Sequence, residues 1–383
     1  MNCNDSIPVF ILLLNKNYLK NAILSLNWDN GIAKCIIMDV ETETFVVYED
    51  KRIPLIPYGK INDALSMDDE KTFWLIYGHK VEVTETWKMA KFLINCGVKR
   101  ERIINFSTDF HLHRKWIGNL RWAAKNSVDF FATGISYTEV GLELSCIQGL
   151  KGINLACSSA DLRNNLATAK YVFNHQQEQS CKFVIIGLAP YSFHFDNRKA
   201  FSVSPKDVQF SLVFNSWDGT FPALHSLLGP FFQREVDSIT EMDADPDFES
   251  TKCQRSIMVE DIVNWETELK YHAKKFIPEI FEENVHLLEE YIDLCHTNGA
   301  FPVVVIWPFS PIIRDKYPKE ILSLFRLTLG QMMKYKHFLV LDLFSQQLPY
   351  DCFYDLTHLN RKGAEIVSKQ VNYWLHRKGV ISS

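Results

Sequence analysis

The stretch Phe130-Phe-Ala-Thr-Gly-Ile-Ser-Tyr-Thr-Glu139 changes character half-way along. Phe130 to Thr133 closes an apolar, β-favouring run that reads as a strand from Val128 to Thr133. Gly134 gives the chain room to turn. A helix is expected beyond it, with its body over Val140 to Gln148. Strand, glycine turn and helix in that order open a β-α-β unit. In a parallel sheet, ligands sit just past the C-terminal ends of the strands, which is where Ser136 falls. A helix start also offers free N–H groups and the positive end of a dipole, both suited to an oxyanion. Alone, the pattern has a plainer reading: Ser136 caps the helix and Glu139, three residues on, completes a capping box.

Downstream the alternation continues. Strands are expected at Ile153–Ala156, Phe183–Gly187, Val303–Trp307 and Phe338–Leu343, and helices at Ser159–Asn174, Ile262–Thr297, Pro318–Lys336 and Lys362–His376. Short apolar strands alternating with helices predict a doubly wound α/β sheet. Residues 197–259 break the pattern. They are rich in Ser, Phe, Asp and Pro and contain Asp243-Ala-Asp-Pro-Asp247; an insertion of this length is a candidate lid, with a disordered segment as the other reading.

Upstream, strands are expected at Val9–Leu14, Ala33–Asp39, Phe73–Gly78 and Arg102–Phe106, with helices at Tyr18–Leu26 and Thr84–Cys96. That is a second, smaller α/β domain. The chain of 383 residues is therefore divided into 1–126 and 127–383, since one core seldom serves that length. After the first strand the chain reads Leu14-Asn-Lys-Asn-Tyr18, without the glycines that let backbone approach a pyrophosphate. No cofactor is expected. Asp39, at a strand end, reads as a solvated turn residue in preference to a ribose ligand. The basic, aromatic segment from His111 to Asn126 reads as an inter-domain helix with a solvated face.

Near the other end the chain reads Tyr354-Asp355-Leu-Thr-His358-Leu-Asn360-Arg-Lys-Gly363, then a helix. An Asp three residues before a His can orient the imidazole and stabilise the imidazolium. The pair follows the last strand, so it is expected at the same sheet edge as Ser136. This block, taken with the strand-Gly-x-Ser-helix of Gly134-Ile-Ser136, strongly resembles the SGNH/GDSL serine hydrolase family over roughly residues 128 to 380. The resemblance implies a triad of Ser136, His358 and Asp355, with an oxyanion held by the backbone N–H groups of Ser136 and Ala156. The family's first block usually reads Gly-Asp-Ser, and Ile135 stands in place of that Asp. Its third block usually carries an Asn, absent from Gly187-Leu-Ala-Pro-Tyr-Ser-Phe193. The divergent blocks are similar to a sub-group found in surface-polysaccharide loci, akin to the D-alanyl transfer protein of lipoteichoic acid synthesis. The first domain resembles the Rossmann-like domain of sugar-modifying enzymes in such pathways, through Ile37-Met-Asp39, Ile53-Pro-Leu-Ile-Pro-Tyr-Gly59 and Cys96-Gly-Val-Lys-Arg-Glu-Arg-Ile-Ile104.

Tyr191, Ser192, His194 and Trp307 follow strands at the site edge and are candidates for a substrate pocket; core or surface roles compete for each. The resemblance implies a serine esterase or O-acyltransferase acting on an acylated sugar, glycan or related small ester. The alternative is a non-catalytic module that keeps the fold for binding or scaffolding in a glycan-modification pathway.

Composition narrows the field. Apolar residues make up 47% and the net charge is −5, with no basic stretch that would point to nucleic acid. Nine cysteines are scattered without a C-x-x-C pair, so neither a disulfide framework nor a metal site is expected. The run from Val9 to Leu14 is too short for a membrane span and lacks a leader's basic flank. A cytoplasmic chain without membrane insertion is the resulting expectation.

Overall fold

The computed structural model describes residues 7–13, 31–37, 44–48, 51–68, 72–77, 83–99, 102–105, 114–176, 180–196, 210, 213–214, 236–245, 255–273 and 276–381. They fall into two compact units, Met1–Arg114 with Phe201–Ile239, and Lys115–Ala200 with Thr240–Ser383.

The first unit contains a six-stranded sheet in the order β3-β4-β2-β1-β5-β6. Its strands are β1 Ile7–Leu13, β2 Gly31–Ile37, β3 Thr44–Tyr48, β4 Lys51–Pro57, β5 Phe73–Tyr77 and β6 Ile103–Asn105. All pairings are parallel except the hairpin of β3 with β4. That hairpin was not among the expected elements; β4 forms although Pro54 and Pro57 each lack an N–H. Helices α1 Ile61–Ser66 and α2 Val83–Asn95 accompany the sheet. Phe10, Leu12, Trp74, Ile76 and Leu93 form the heart of its core. Beside it Arg102 makes a two-pronged contact with Asp68, at 2.7 Å on each oxygen, and Asp68 also accepts from the Trp74 indole at 2.9 Å. The expected helix Tyr18–Leu26 and Asp39 lie outside the described residues.

The second unit holds the site. It takes in α3 Arg114–Lys125 from Lys115 onward and contains β7 Phe130–Thr133, β8 Gly152–Asn154, β9 Phe183–Leu188, β10 Phe301–Ile306 and β11 Leu339–Asp342. These strands form an all-parallel sheet in the order β11-β10-β9-β7-β8. Every residue of β7 and β9 is buried, so both faces of the sheet are covered. From β7 the chain moves outward to β8, then returns past β7 to β9. The strand order reverses there, which puts the topological switch point at the C-terminal ends of β7 and β9.

The helices of this unit are α4 Ser136–Gly141, α5 Leu162–His175, α6 Val259–Val263, α7 Trp265–Ala273, α8 Phe281–Thr297, α9 Pro311–Lys316, α10 Lys319–Met332 and α11 Arg361–Arg377. Three expectations are corrected. The helix placed over Val140–Gln148 starts at Ser136 and ends at Gly141, where Trp307 packs closely beneath. The single helix Ile262–Thr297 is three pieces, because Pro278 lacks an N–H and Ile277, in extended backbone, donates to the His194 carbonyl at 2.9 Å. The helix read as an inter-domain connector, α3, belongs to the second unit. Ile117, Leu120 and Ala123 are buried, and Trp116 donates its indole N–H to the Leu155 carbonyl at 2.8 Å. Its basic face is partly paired, Lys115 with Asp245 and Lys125 with Glu241. Part of the expected lid, 240–245, therefore lies against α3, while most of 197–259 lies outside the described residues. Among the described residues, no helix is long and apolar enough to cross a membrane and no cluster of side chains is arranged for a metal.

Candidate active site

The backbone around Ser136 is set by one crowded contact. Gly134 has φ +151, and a Cβ there would run into the Thr138 side chain. A Cβ on Gly187, at the end of β9, would strike the same hydroxyl. Thr138 fits between the two glycines and accepts from the Trp307 indole N–H at 2.8 Å. This ties the start of α4 to the ends of β9 and β10. Ile135 is the extended N-cap residue and Ser136 the first residue of the helix. The capping-box reading is thereby set aside. The Ser136 side chain does not cap, and Glu139 accepts instead from the Ser158 hydroxyl.

Ser136 Oγ lies 2.8 Å from His358 Nε2. His358 Nδ1 lies 2.9 Å and 3.0 Å from the two Asp355 oxygens. The Asp355 carboxylate also accepts from the backbone N–H groups of Thr357 and His358, each at 2.8 Å. Burial alone would raise the Asp355 pKa. The His358 hydrogen bond and charge, with those backbone donors, outweigh it and hold the carboxyl down at about 2. The carboxylate therefore stays charged. Its two oxygens face His358 Nδ1, while Nε2 faces the Ser136 hydroxyl. The side chains of His358 and Asp355 are 25% and 34% exposed, so the group is reachable from outside.

The rest of the Asp355 block supports this loop. Tyr354 N–H donates to the His358 carbonyl at 2.8 Å and closes the turn. Asn360 caps α11 by accepting from Gly363 N–H at 3.0 Å, and its amide donates to the Asp351 carbonyl at 2.8 Å. A Cβ on Gly363 would strike the Cys352 carbonyl. The Leu-Asn-x-x-Gly spacing is thus a cap and a close approach, both serving the loop that carries His358.

The expected oxyanion donors divide. Ser136 N–H has no hydrogen-bond partner among the described residues. Ala156 is buried, and its N–H already donates to the Asn154 side chain at 3.1 Å. The Asn154 amide in turn donates to the Thr138 and Glu139 carbonyls at 3.0 and 3.3 Å. Asn154, missed in the sequence, thus pins this loop to α4. The loop is fixed further where Cys157 N–H donates to the Gly134 carbonyl at 3.0 Å. Ser159, on the same loop, has φ +64, the only left-handed non-glycine backbone among the described residues.

The four pocket candidates do not converge on the site. Trp307 is 2% exposed and lies beneath Thr138 and Gly141. His194 is 3% exposed and stacks on Phe276 at 3.8 Å. The Ser192 hydroxyl accepts from Ala189 N–H at 2.9 Å within its own turn. Tyr191 is 1% exposed, with its hydroxyl 3.1 Å from that of Tyr137. Trp307 and Tyr191 pack against α4, while Ser192 bonds within its own turn and His194 packs on Phe276 and Phe281, because the residues just beyond β9 and β10 turn inward.

No family model matches the chain, and no curated protein does. Among solved structures the chain is similar to one described, provisionally, as a platelet activating factor from Streptococcus pneumonia. The likeness is 10% identity and a TM-score of 0.39, over 76% of this chain and 99% of that one. Similarity this slight carries no argument.

Proposed function

We propose that this chain is a serine hydrolase or acyltransferase of the SGNH/GDSL type, acting on carboxylic esters through Ser136, His358 and Asp355. One observation carries the reading: Ser136 Oγ stands 2.8 Å from His358 Nε2 while Asp355 holds the opposite ring nitrogen. A surface serine has no physical need of a histidine so oriented.

The chemistry follows from that line of groups. His358 Nε2 takes the Ser136 proton as Oγ attacks the ester carbonyl. The imidazolium, balanced by Asp355, passes that proton to the leaving alkoxide, which departs as an alcohol. Water or an acceptor hydroxyl then gives its proton to His358 and attacks the acyl-enzyme. The imidazolium finally returns a proton to Ser136 Oγ. Charge on the carbonyl oxygen is met by Ser136 N–H; Ala156 N–H, the other expected donor, is engaged by the Asn154 side chain. The substrate class, an acylated sugar, glycan or related small ester, rests on the sequence resemblance.

A fluorophosphonate probe tests the reading. The folded chain is expected to take one adduct, on Ser136, and to hydrolyse short-chain acyl esters. Ser136→Ala is expected to lose the adduct and to lower esterase turnover on the order of 10⁴-fold. Equal rates in the two chains, or no adduct on Ser136, would instead support the binding or scaffolding alternative.

A further inference from the structure

Directly behind His358, on the side away from solvent, lies a line of polar groups that the acyl-transfer steps do not use. Tyr137 follows Ser136 in α4 and is buried, with its ring 5.0 Å from the His358 ring at an interplanar angle of 33°. Its hydroxyl lies 3.1 Å from that of Tyr191 and 3.4 Å from His272 Nε2. His272, on α7, also approaches Glu268 Oε1 at 3.2 Å, one helical turn earlier. Aromatic rings close the remaining sides: Phe309 lies 4.9 Å from Tyr137, and Tyr317 lies 6.4 Å from His272. Four polar side chains from α4, the β9 turn and α7 thus meet in an otherwise apolar layer. Burying polar groups costs free energy, offset here by contacts that both reach His272 through Nε2.

We propose that Tyr137, His272 and Glu268 form a positioning relay that fixes the Ser136–His358 hydrogen bond. The argument is geometric and rests on the hydrolase reading. Tyr137 is covalently next to the nucleophile and packs on the face of the base. A hydroxyl held at the far end of its ring limits both partners of the 2.8 Å contact together. Misplacement of reacting groups by about 1 Å can cost on the order of 10²-fold in rate, so a fixed ring between them has leverage. Burial, then the neighbouring Tyr191, raises the Tyr137 pKa well above its ordinary value, so the hydroxyl stays neutral and available for hydrogen bonding. Glu268 is half-buried and connects the relay to the outside of α7. These residues touch no substrate. They act through His358 and Ser136.

The test compares the full-length wild type with Tyr137→Phe, His272→Leu, the double variant and His272→Gln. It reads p-nitrophenyl acetate turnover, fluorophosphonate labelling of Ser136 and the melting temperature. Each single variant is expected to lower kcat roughly tenfold with KM unchanged. The double variant is expected to fall no further than the worse single, as for groups acting as one unit. His272→Gln, which keeps a nitrogen donor at similar reach, is expected to recover most of the loss. Tyr137→Phe removes one hydroxyl and keeps the ring, so it retains the fold; Glu268→Gln, at a half-exposed position, serves as a second mild probe with a smaller loss. Wild-type kcat in Tyr137→Phe and Glu268→Gln, or losses that multiply in the double variant, would overturn the relay alone. A wild-type chain that takes no label on Ser136 would overturn the hydrolase reading and the relay with it.

Discussion

Ser136 shows how little one residue says by itself. Its sequence context, a Ser with Glu139 three positions on, suits a helix cap as well as a nucleophile. In the structure the hydroxyl does not cap the helix and lies 2.8 Å from His358 Nε2. Two glycines and one threonine make that direction possible. Gly134 was legible as a turn residue, but Gly187 was not, because its need arises from a side chain 49 positions earlier in the chain. Gly187→Ala is expected to push Thr138 and the start of α4 aside. Overpacking of this kind typically costs 1–3 kcal/mol, read as a lower midpoint of denaturant unfolding. Labelling of Ser136 should slow as well. An unchanged midpoint would show that Thr138 can give way freely.

At the scale of elements, the strands of the second sheet were readable because each is a short apolar run bounded by turn residues. Their ends moved by at most two residues, since hydrogen bonding, not hydropathy, decides where a strand stops. The helix breaks at Asn264 and around Pro278 were harder to see. A continuous helical pattern hides a chain that leaves the axis to meet His194. The C-terminal helix α11 is the clearest case of local coding, with Asn360 at its cap and Gly363 three residues on. Asn360→Ala removes the cap and leaves the Asp351 carbonyl without its amide donor. A loss of about 2 kcal/mol in unfolding free energy is expected, with slower ester turnover because the same loop carries His358. A stability loss with turnover unchanged would mean the Asp355 loop is held by its own hydrogen bonds.

Across the whole molecule, acid stability follows from two groups in the second unit. Burial lowers the His194 pKa from 6.5 to about 4 in the folded state. The unfolded chain therefore binds a proton there at a pH where the folded chain does not, and its stabilising contribution, present above about pH 6.5, is lost as the pH falls towards 4. Asp355 has its pKa lowered from 3.8 to about 2, so its contribution is present above pH 3.8 and lost on going towards 2. The melting temperature is expected to fall in two successive limbs. His194→Phe, which keeps an aromatic ring against Phe276, should flatten the first. A flat melting temperature between pH 6.5 and 4 in the wild type would contradict the assignment.

What the sequence determined alone was local. Apolar runs marked the strands of the second sheet and four of the six in the first, turn residues marked their ends, and the Gly134-Ile-Ser136 and Asp355-x-x-His358 spacings marked three side chains that the fold brings within hydrogen-bond distance. Each of these signals depends on neighbours a few positions apart. What only the tertiary structure decided depends on distant partners. The β3–β4 hairpin forms despite two prolines, α3 belongs to the second unit, and Trp307 and His194 turn inward. On the loop after β8, Ala156 is engaged by Asn154 while Ser159 takes a left-handed backbone. Hydrophobic periodicity says that a residue is buried or turned. It cannot say against what, because that is set by chain segments tens to hundreds of residues away. The site lies where those distant choices meet, at the reversal of strand order beside β7.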